Sequence, residues 1–231
     1  MLKPLPEQPT NTTLDKQVVS KQRVADHGEV YTHSREVNAM LDLVKQETER
    51  IESRFLEPAC GTGNFLVEIL NRKLAVVASR YATSQFEYER YAVLAVSSIY
   101  GIDILADNVA ACQERLFNLF DATYTALFKN EASNACRTSV RFILSRNILH
   151  GDALTLQTVS AEGGEPITFS EWSAVNGSML KRRDFKFSHL IDRADSQALP
   201  LFSDLGDESY IPEPIADHPL IHFLEVSHAT E

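Results

Sequence analysis

The sequence predicts an α/β fold on a parallel sheet, and three observations carry that prediction. Short apolar segments alternate with longer stretches of helical spacing, in the order strand, helix, strand, helix, strand. Each of the three short segments meets an acid at its carboxyl end: Glu57, Asp103 and Asp152. The first also runs directly into a glycine-rich turn, Gly61-Thr62-Gly63. Parallel neighbours joined through helices take right-handed crossovers, and ligands in such sheets sit beyond the carboxyl ends of the strands.

Residues 1–20 are polar and carry Pro4, Pro6 and Pro9, which predicts a loose arm. Ser34 to Ile51 fits one amphipathic helix, with Val37, Met40, Leu41 and Val44 at helical spacing and Ser34 as N-cap. Arg54–Pro58 reads as a buried strand, Asn64–Ser79 as a helix, and Gln85–Val96 as a second helix. Ser98–Ile104 is the second strand. Leu105–Asn118, extending towards Lys129, is a helix; Val140–Ser145 is helical; Asn147–Asp152 is the third strand. Beyond Asp152 the pattern weakens. Glu162–Pro166 is a turn and Ile167–Trp172 a strand. Lys181–Phe187 is a basic stretch with two aromatics, and the remainder, rich in proline, reads as irregular. The predicted organisation is an arm over residues 1–20, a ligand-binding core over 21–155, and an irregular acidic extension over 156–231 suited to partner binding.

Composition narrows the function classes. The 231 residues are 44% hydrophobic and 23% charged, ordinary for a globular chain that needs no disulfide or metal to hold its core. No apolar run approaches the length of a membrane span, and the first residues lack the apolar stretch of a secretory signal. Cys60, Cys112 and Cys136 form no C-x-x-C pair, so reduced thiols in a cytoplasmic protein are expected, with no metal site. The net charge is −10, of which residues 191–231 carry −8. The chain is not a basic nucleic-acid binder by composition.

The sharpest signal is Phe55-Leu56-Glu57-Pro58-Ala59-Cys60-Gly61-Thr62-Gly63-Asn64-Phe65. Glycines in such a turn allow positive φ and close approach of a ligand. The dinucleotide fingerprint G-x-G-x-x-G fails, because its last position holds Leu66. An acid at Glu57 suits a cationic ligand group rather than a pyrophosphate. Asp103 can accept two hydrogen bonds from a ribose diol. It lies 46 residues beyond Glu57, against the ~20 residues of dinucleotide folds. The helix at Gln85–Val96 accounts for the excess. Against these readings stand plainer ones: a bare strand–helix turn at Gly61–Gly63, a helix cap at Asp103 and an Asx-turn at Asp152. Trp172 fits packing better than base stacking, and Lys181–Arg183 fits a solvated charge run at least as well as a phosphate contact.

The segment Glu57–Phe65 resembles the S-adenosylmethionine (SAM) loop of class I methyltransferases, and is most similar to N6-adenine DNA methyltransferases of restriction–modification systems. Gly28-Glu29-Val30-Tyr31-Thr32-His33 resembles that family's G-x-x-[FY]-T-P segment, with His33 in place of proline. Tyr100–Ile104 and Asn147–Leu154 resemble its second- and third-strand segments. The resemblance covers residues 20–155. It implies a Rossmann-like sheet with helices on both faces and SAM as cofactor. The cofactor-binding residues would be Tyr31, Thr32, Glu57, Pro58, Ala59, Gly61, Gly63, Asn64, Phe65, Asp103, Ile104, Asp152 and Ala153. Glu57 and the glycines would hold the methionine end, Asp103 the ribose and Asp152 the adenine.

The family's catalytic [DNS]-P-P-[YFW] segment does not occur, and Pro-Pro appears nowhere in the chain. Only 79 residues follow Asp152. The resemblance therefore implies an incomplete sheet whose first strand has an open edge, a liability unless something covers it. The expected function is the SAM-binding subunit of a DNA adenine-N6 methyltransferase in a restriction–modification or phage-defence system. No catalytic residue is assigned to this chain. A partner chain would supply the N-P-P-Y-type segment and target recognition, and DNA would be met through that complex. The alternatives are a non-catalytic SAM-binding module of a defence complex, or a methyltransferase acting on RNA, protein or a small molecule.

Overall fold

The computed structural model describes residues 32–191 and 213–228. The expected arm over residues 1–20, and Tyr31, lie outside them. The first element is not one helix. α1 spans Ser34–Asp42 and a short α2 spans Lys45–Thr48, separated where Val44 leaves helical geometry at φ −120° and ψ 33°. β1 (Phe55–Glu57) leads through the glycine turn into α3 (Asn64–Tyr81), and α4 (Gln85–Ser97) follows with Ser84 capping the Glu87 N–H. β2 (Ile99–Asp103), α5 (Ala106–Phe128), α6 (Asn134–Asn147) and β3 (Ile148–Asp152) complete the alternation. The structure is therefore α/β, with β1, β2 and β3 parallel and adjacent in that order. A short β4 (Gln157–Thr158) adds to β3 antiparallel, so the sheet is mixed.

Alternation along the strands assigns the two faces. Phe55, Ile99 and Ile148 pack into one large core with α1, α3, α4, α5 and α6. Leu56, Tyr100, Ile102 and Leu149 pack into a second core on the opposite face. All the long helices thus share one face. This departs from the expected helices on both faces, and handedness explains it: two right-handed crossovers stepping the same way along a sheet put their helices on the same side.

Within residues 157–191 and 213–228 the opposite face departs from the irregular extension expected over 156–231; residues 192–212 and 229–231 of that extension lie outside the described residues. β5 (Thr168–Val175) and β6 (Met179–Lys186) form an eight-residue hairpin, from Thr168 paired with Lys186 to Val175 paired with Met179. Its turn places Asn176 at φ 47° and Gly177 at φ 73°, conformations that Asn and Gly adopt readily. Ile167, Phe169 and Phe187 fill the space under Tyr100 and Ile102, and a five-residue α7 (Phe187–Ile191) follows. Short strands β7 (Ala216–Asp217) and β8 (Ile221–His222) both pair with β6. Phe223 and Val226 then insert into the helical core.

The basic stretch is absorbed by this hairpin. Lys181 pairs with Asp217, Arg182 with Asp184, and Arg183 with Glu171. Burial works against the Asp184 carboxylate, yet Arg182, Ser170 and His218 together hold it below the usual range. Trp172 is a packing residue: it is buried and donates to Asn147 Oδ1 at 3.1 Å. Cys60, Cys112 and Cys136 are buried free thiols. Among the described residues no helix is long and apolar enough to cross a membrane.

Lys73 fastens the approach to β1. It is fully buried on α3, and its amine donates to the carbonyls of Arg50, Ile51 and Ser53 and to Ser98 Oγ. Lys73→Met leaves those carbonyls without their donor, so urea melts at pH 7 should show a loss of about 2–4 kcal/mol. A loss under about 1 kcal/mol would mean that the loop re-satisfies itself. Burial also pushes the Lys73 amine down from its ordinary 10.5 to about 7. Between those values the unfolded chain binds this proton more tightly than the folded one, so stability should rise with pH. Relative to Lys73→Met, the unmodified chain should therefore gain stability from pH 7 towards pH 10.

Candidate functional site

The site begins with the turn after β1. The Cys60 N–H donates to the Ile102 carbonyl at 2.9 Å, tying the chain to the end of β2. The Gly63 N–H closes the turn on the Cys60 carbonyl at 2.8 Å, and α3 starts as Val67 N–H reaches Gly63 at 2.8 Å. Gly61 and Gly63 are both left-handed, at φ 53° and 87°. The two differ in their surroundings. A Cβ on Gly61 would meet nothing within 4 Å, so its outer side is open. A Cβ on Gly63 would lie 2.6 Å from Cys112 Sγ on α5. Glycine at 63 is therefore required by both dihedral and space.

Three carboxylates stand at the carboxyl ends of three adjacent parallel strands. Glu57 ends β1 and is half-buried. Burial pushes its carboxyl above the usual range, against the lowering effect of a hydrogen bond from the Ala59 backbone. It has no ion-pair partner among the described residues. Asp103 ends β2 and is 8% exposed. Its Oδ2 accepts the Gly61 N–H at 2.8 Å, and its Oδ1 accepts the Leu105 N–H at 2.9 Å and Asn108 Nδ2 at 3.2 Å. A carboxylate offers about four acceptor sites, so one remains, on Oδ2. Asp152 ends β3 and accepts the Leu154 N–H on Oδ1 at 2.8 Å, with Oδ2 unpartnered among the described residues. Asp152 thus forms the Asx-turn that is its plainer reading, whereas Asp103 forms an Asx-turn in place of the expected helix cap, the N-cap position of α5 falling to Leu105; each keeps acceptor capacity beyond its turn.

The other candidate residues divide by environment. Pro58 and Ala59 are exposed on the turn. Ile104 is 47% exposed and Leu154 is 95% exposed, an apolar pair just past the ends of β2 and β3. Phe65 packs against the helical core, and Ala153 against the core of the other face. Thr32 comes near through its backbone, where its carbonyl accepts Asn64 Nδ2 at 3.2 Å. Tyr31 lies outside the described residues. His150 Nε2 lies 3.0 Å from the Ile104 carbonyl, so the ring carries its proton there and bridges the two strand ends.

Three contributors were not singled out in the sequence: Asn108, Cys112 and Arg115. They lie on one face of α5, at the helical spacing i, i+4, i+7. Asn108 holds Asp103, Cys112 fills the space beneath Gly63, and Arg115 reaches Thr62 and Asn64. The spacing was readable, but only the fold shows that this face meets the glycine turn. Among the described residues no group of His, Cys, Asp and Glu has the makings of a metal site.

Gly63→Ala should cost about 2–4 kcal/mol in urea melts, combining positive-φ strain with the Cys112 contact. Adding Cys112→Ala should recover the steric part and leave the φ part. Full recovery in the double variant would show that the backbone here is not strained.

Comparison with protein-family models, with curated proteins and with solved structures gives no match to this chain.

Proposed function

We propose that the chain is the SAM-binding component of an N6-adenine DNA methyltransferase in a restriction–modification or phage-defence system. The observation that carries the reading is the row of Glu57, Asp103 and Asp152 at the ends of three adjacent parallel strands, around a turn that is open above Gly61. The polar groups suit that cofactor. Glu57, half-buried and without a cation of its own, would take the amino group of the methionine end. The spare acceptor site of Asp103 would take a ribose hydroxyl. The free oxygen of Asp152 would take the adenine amino group, with Ile104 and Leu154 flanking the ring. Thr32, and Tyr31 by resemblance, would close over the cofactor.

SAM supplies the electrophilic methyl on its sulfonium. This chain's part is to bind and orient it. Acceptance of the target amine's hydrogen bonds, and stacking of a flipped base, would fall to a partner bearing an N-P-P-Y-type segment. Two features support such a partner. β1 pairs only with β2 among the described residues, and its three residues are all half-exposed while those of β2 are all buried. In addition, Lys181, Arg182 and Arg183 are all held in ion pairs, so the described residues offer no free cluster for DNA phosphates there.

Calorimetry should show SAM binding, with S-adenosylhomocysteine competing. Asp152→Asn keeps an oxygen for the Leu154 N–H, and Glu57→Gln keeps the shape. Each should weaken SAM by about tenfold to a hundredfold. Equal affinity for NAD, or indifference to both substitutions, would sink the assignment.

The second test concerns the partner. Labelled methyl should reach DNA only when the chain is co-purified with a protein supplying the missing segment. Robust transfer by this chain alone would show that it holds its own catalytic site.

A further inference from the structure

We propose that Arg115 and Asn64 form a latch that sets the segment entering α1 against the glycine turn, making both of them positioning residues for the ligand held there. The latch stands on hydrogen bonds alone; its consequence for SAM rests on the function proposed above.

Arg115 projects from α5 over the turn. One of its terminal nitrogens donates to the Thr62 carbonyl at 2.6 Å, to Thr62 Oγ1 at 2.9 Å and to Asn64 Oδ1 at 2.8 Å. Thr62 sits between two left-handed glycines, so neither strand nor helix geometry holds it. Its carbonyl and hydroxyl are both held from outside, by Arg115. A guanidinium only donates, so Asn64 must turn its oxygen towards Arg115. Its amide nitrogen then faces away and donates to the Thr32 carbonyl at 3.2 Å. The relay Arg115–Asn64–Thr32 thus joins three parts of the chain through one oriented amide. Arg115 has no carboxylate partner among the described residues, and surface hydrogen bonds of this kind add little to global stability. Their consequence is geometric: they fix where the turn and the start of α1 lie relative to each other.

Asparagine is specific here, because aspartate would keep the oxygen for Arg115 and lose the donor for Thr32. Hydrogen exchange on the full chain, without ligand, reads this directly. Asn64→Asp should speed exchange in residues 32–41 about tenfold and leave residues 60–66 within about twofold. Arg115→Ala should speed both by about tenfold, and Arg115→Lys, which retains a cationic donor, should restore part of the protection. Unchanged exchange at 32–41 in both Asn64→Asp and Arg115→Ala would overturn the latch.

The positioning role is read from two ligands. Arg115→Ala should weaken SAM about five- to tenfold and leave methylthioadenosine, which lacks the amino-acid end, within about twofold. Equal weakening of both would overturn that role in favour of general loosening. A parent chain that binds neither ligand would sink the SAM reading, while the exchange measurements would still decide the latch.

Discussion

Three hydrogen bonds converge on the Asp103 carboxylate, from the Gly61 N–H, the Leu105 N–H and the Asn108 side chain, and the carboxyl edge of the sheet is organised around them. Each is charge-assisted and hence stronger than its neutral counterpart. Together they join the turn after β1, the end of β2 and the first turn of α5. Once α5 is placed, Cys112 comes to lie under Gly63 and Arg115 over Thr62. Gly101 follows the same constraint from below: a Cβ there would lie 2.9 Å from Leu66 on α3 and 3.1 Å from Cys60 Sγ. The turn is therefore clamped between β2 and α5, and its open side is the one above Gly61.

The opposite end of the sheet depends on another polar side chain. Asn147, buried at the end of α6, donates to the carbonyls of Ser97 and Ile99 and accepts from Trp172. It ties the start of β2 to the hairpin that covers the second face. Tyr100 adds a hydrogen bond to the Ser170 carbonyl at 3.1 Å, and Arg54 reaches Glu171 at the entry to β1. Asp184 and Glu171 of the hairpin and Asp217 of β7 pair with Arg182, Arg183 and Lys181, and the aromatic rings of the hairpin fill a core. Charge and ring density that read as a surface feature in one dimension are spent internally in three.

β1 is the exception to this closure. It carries the glycine turn, is anchored from below by Lys73, and is covered on both faces, by Phe55 in the helical core and Leu56 in the other. Along its length it has only one described strand neighbour. In a parallel ladder alternate residues turn their N–H and C=O to opposite sides, so Leu56 presents both to the open edge. β1 thus lies at the margin of its sheet among the described residues, while the fully buried β2 lies inside it.

Local patterns alone determined much of this protein. The three strands, the helices between them and the acids at the strand ends are all legible, because burial on a fixed period leaves a mark on neighbouring residues. The hairpin was half legible. Ile167–Trp172 reads as a strand, and Asn176-Gly177 is a hairpin signal lost among the charges of Lys181–Arg183. Those charges resembled a solvated run because two of their three partners, Asp217 and Glu171, lie outside the stretch, and only Asp184, the partner of Arg182, lies beside it. Only the tertiary structure decided that the long helices share one face, since that depends on the direction of successive crossovers. It alone decided that Asp103 spends three acceptor sites on the protein, and that one face of α5 builds the floor of the glycine turn. The helix faces, the floor of the turn and the Gly61 bond to Asp103 rest on contacts between segments tens of residues apart, which no local period records; only the Leu105 and Asn108 bonds to Asp103 are local.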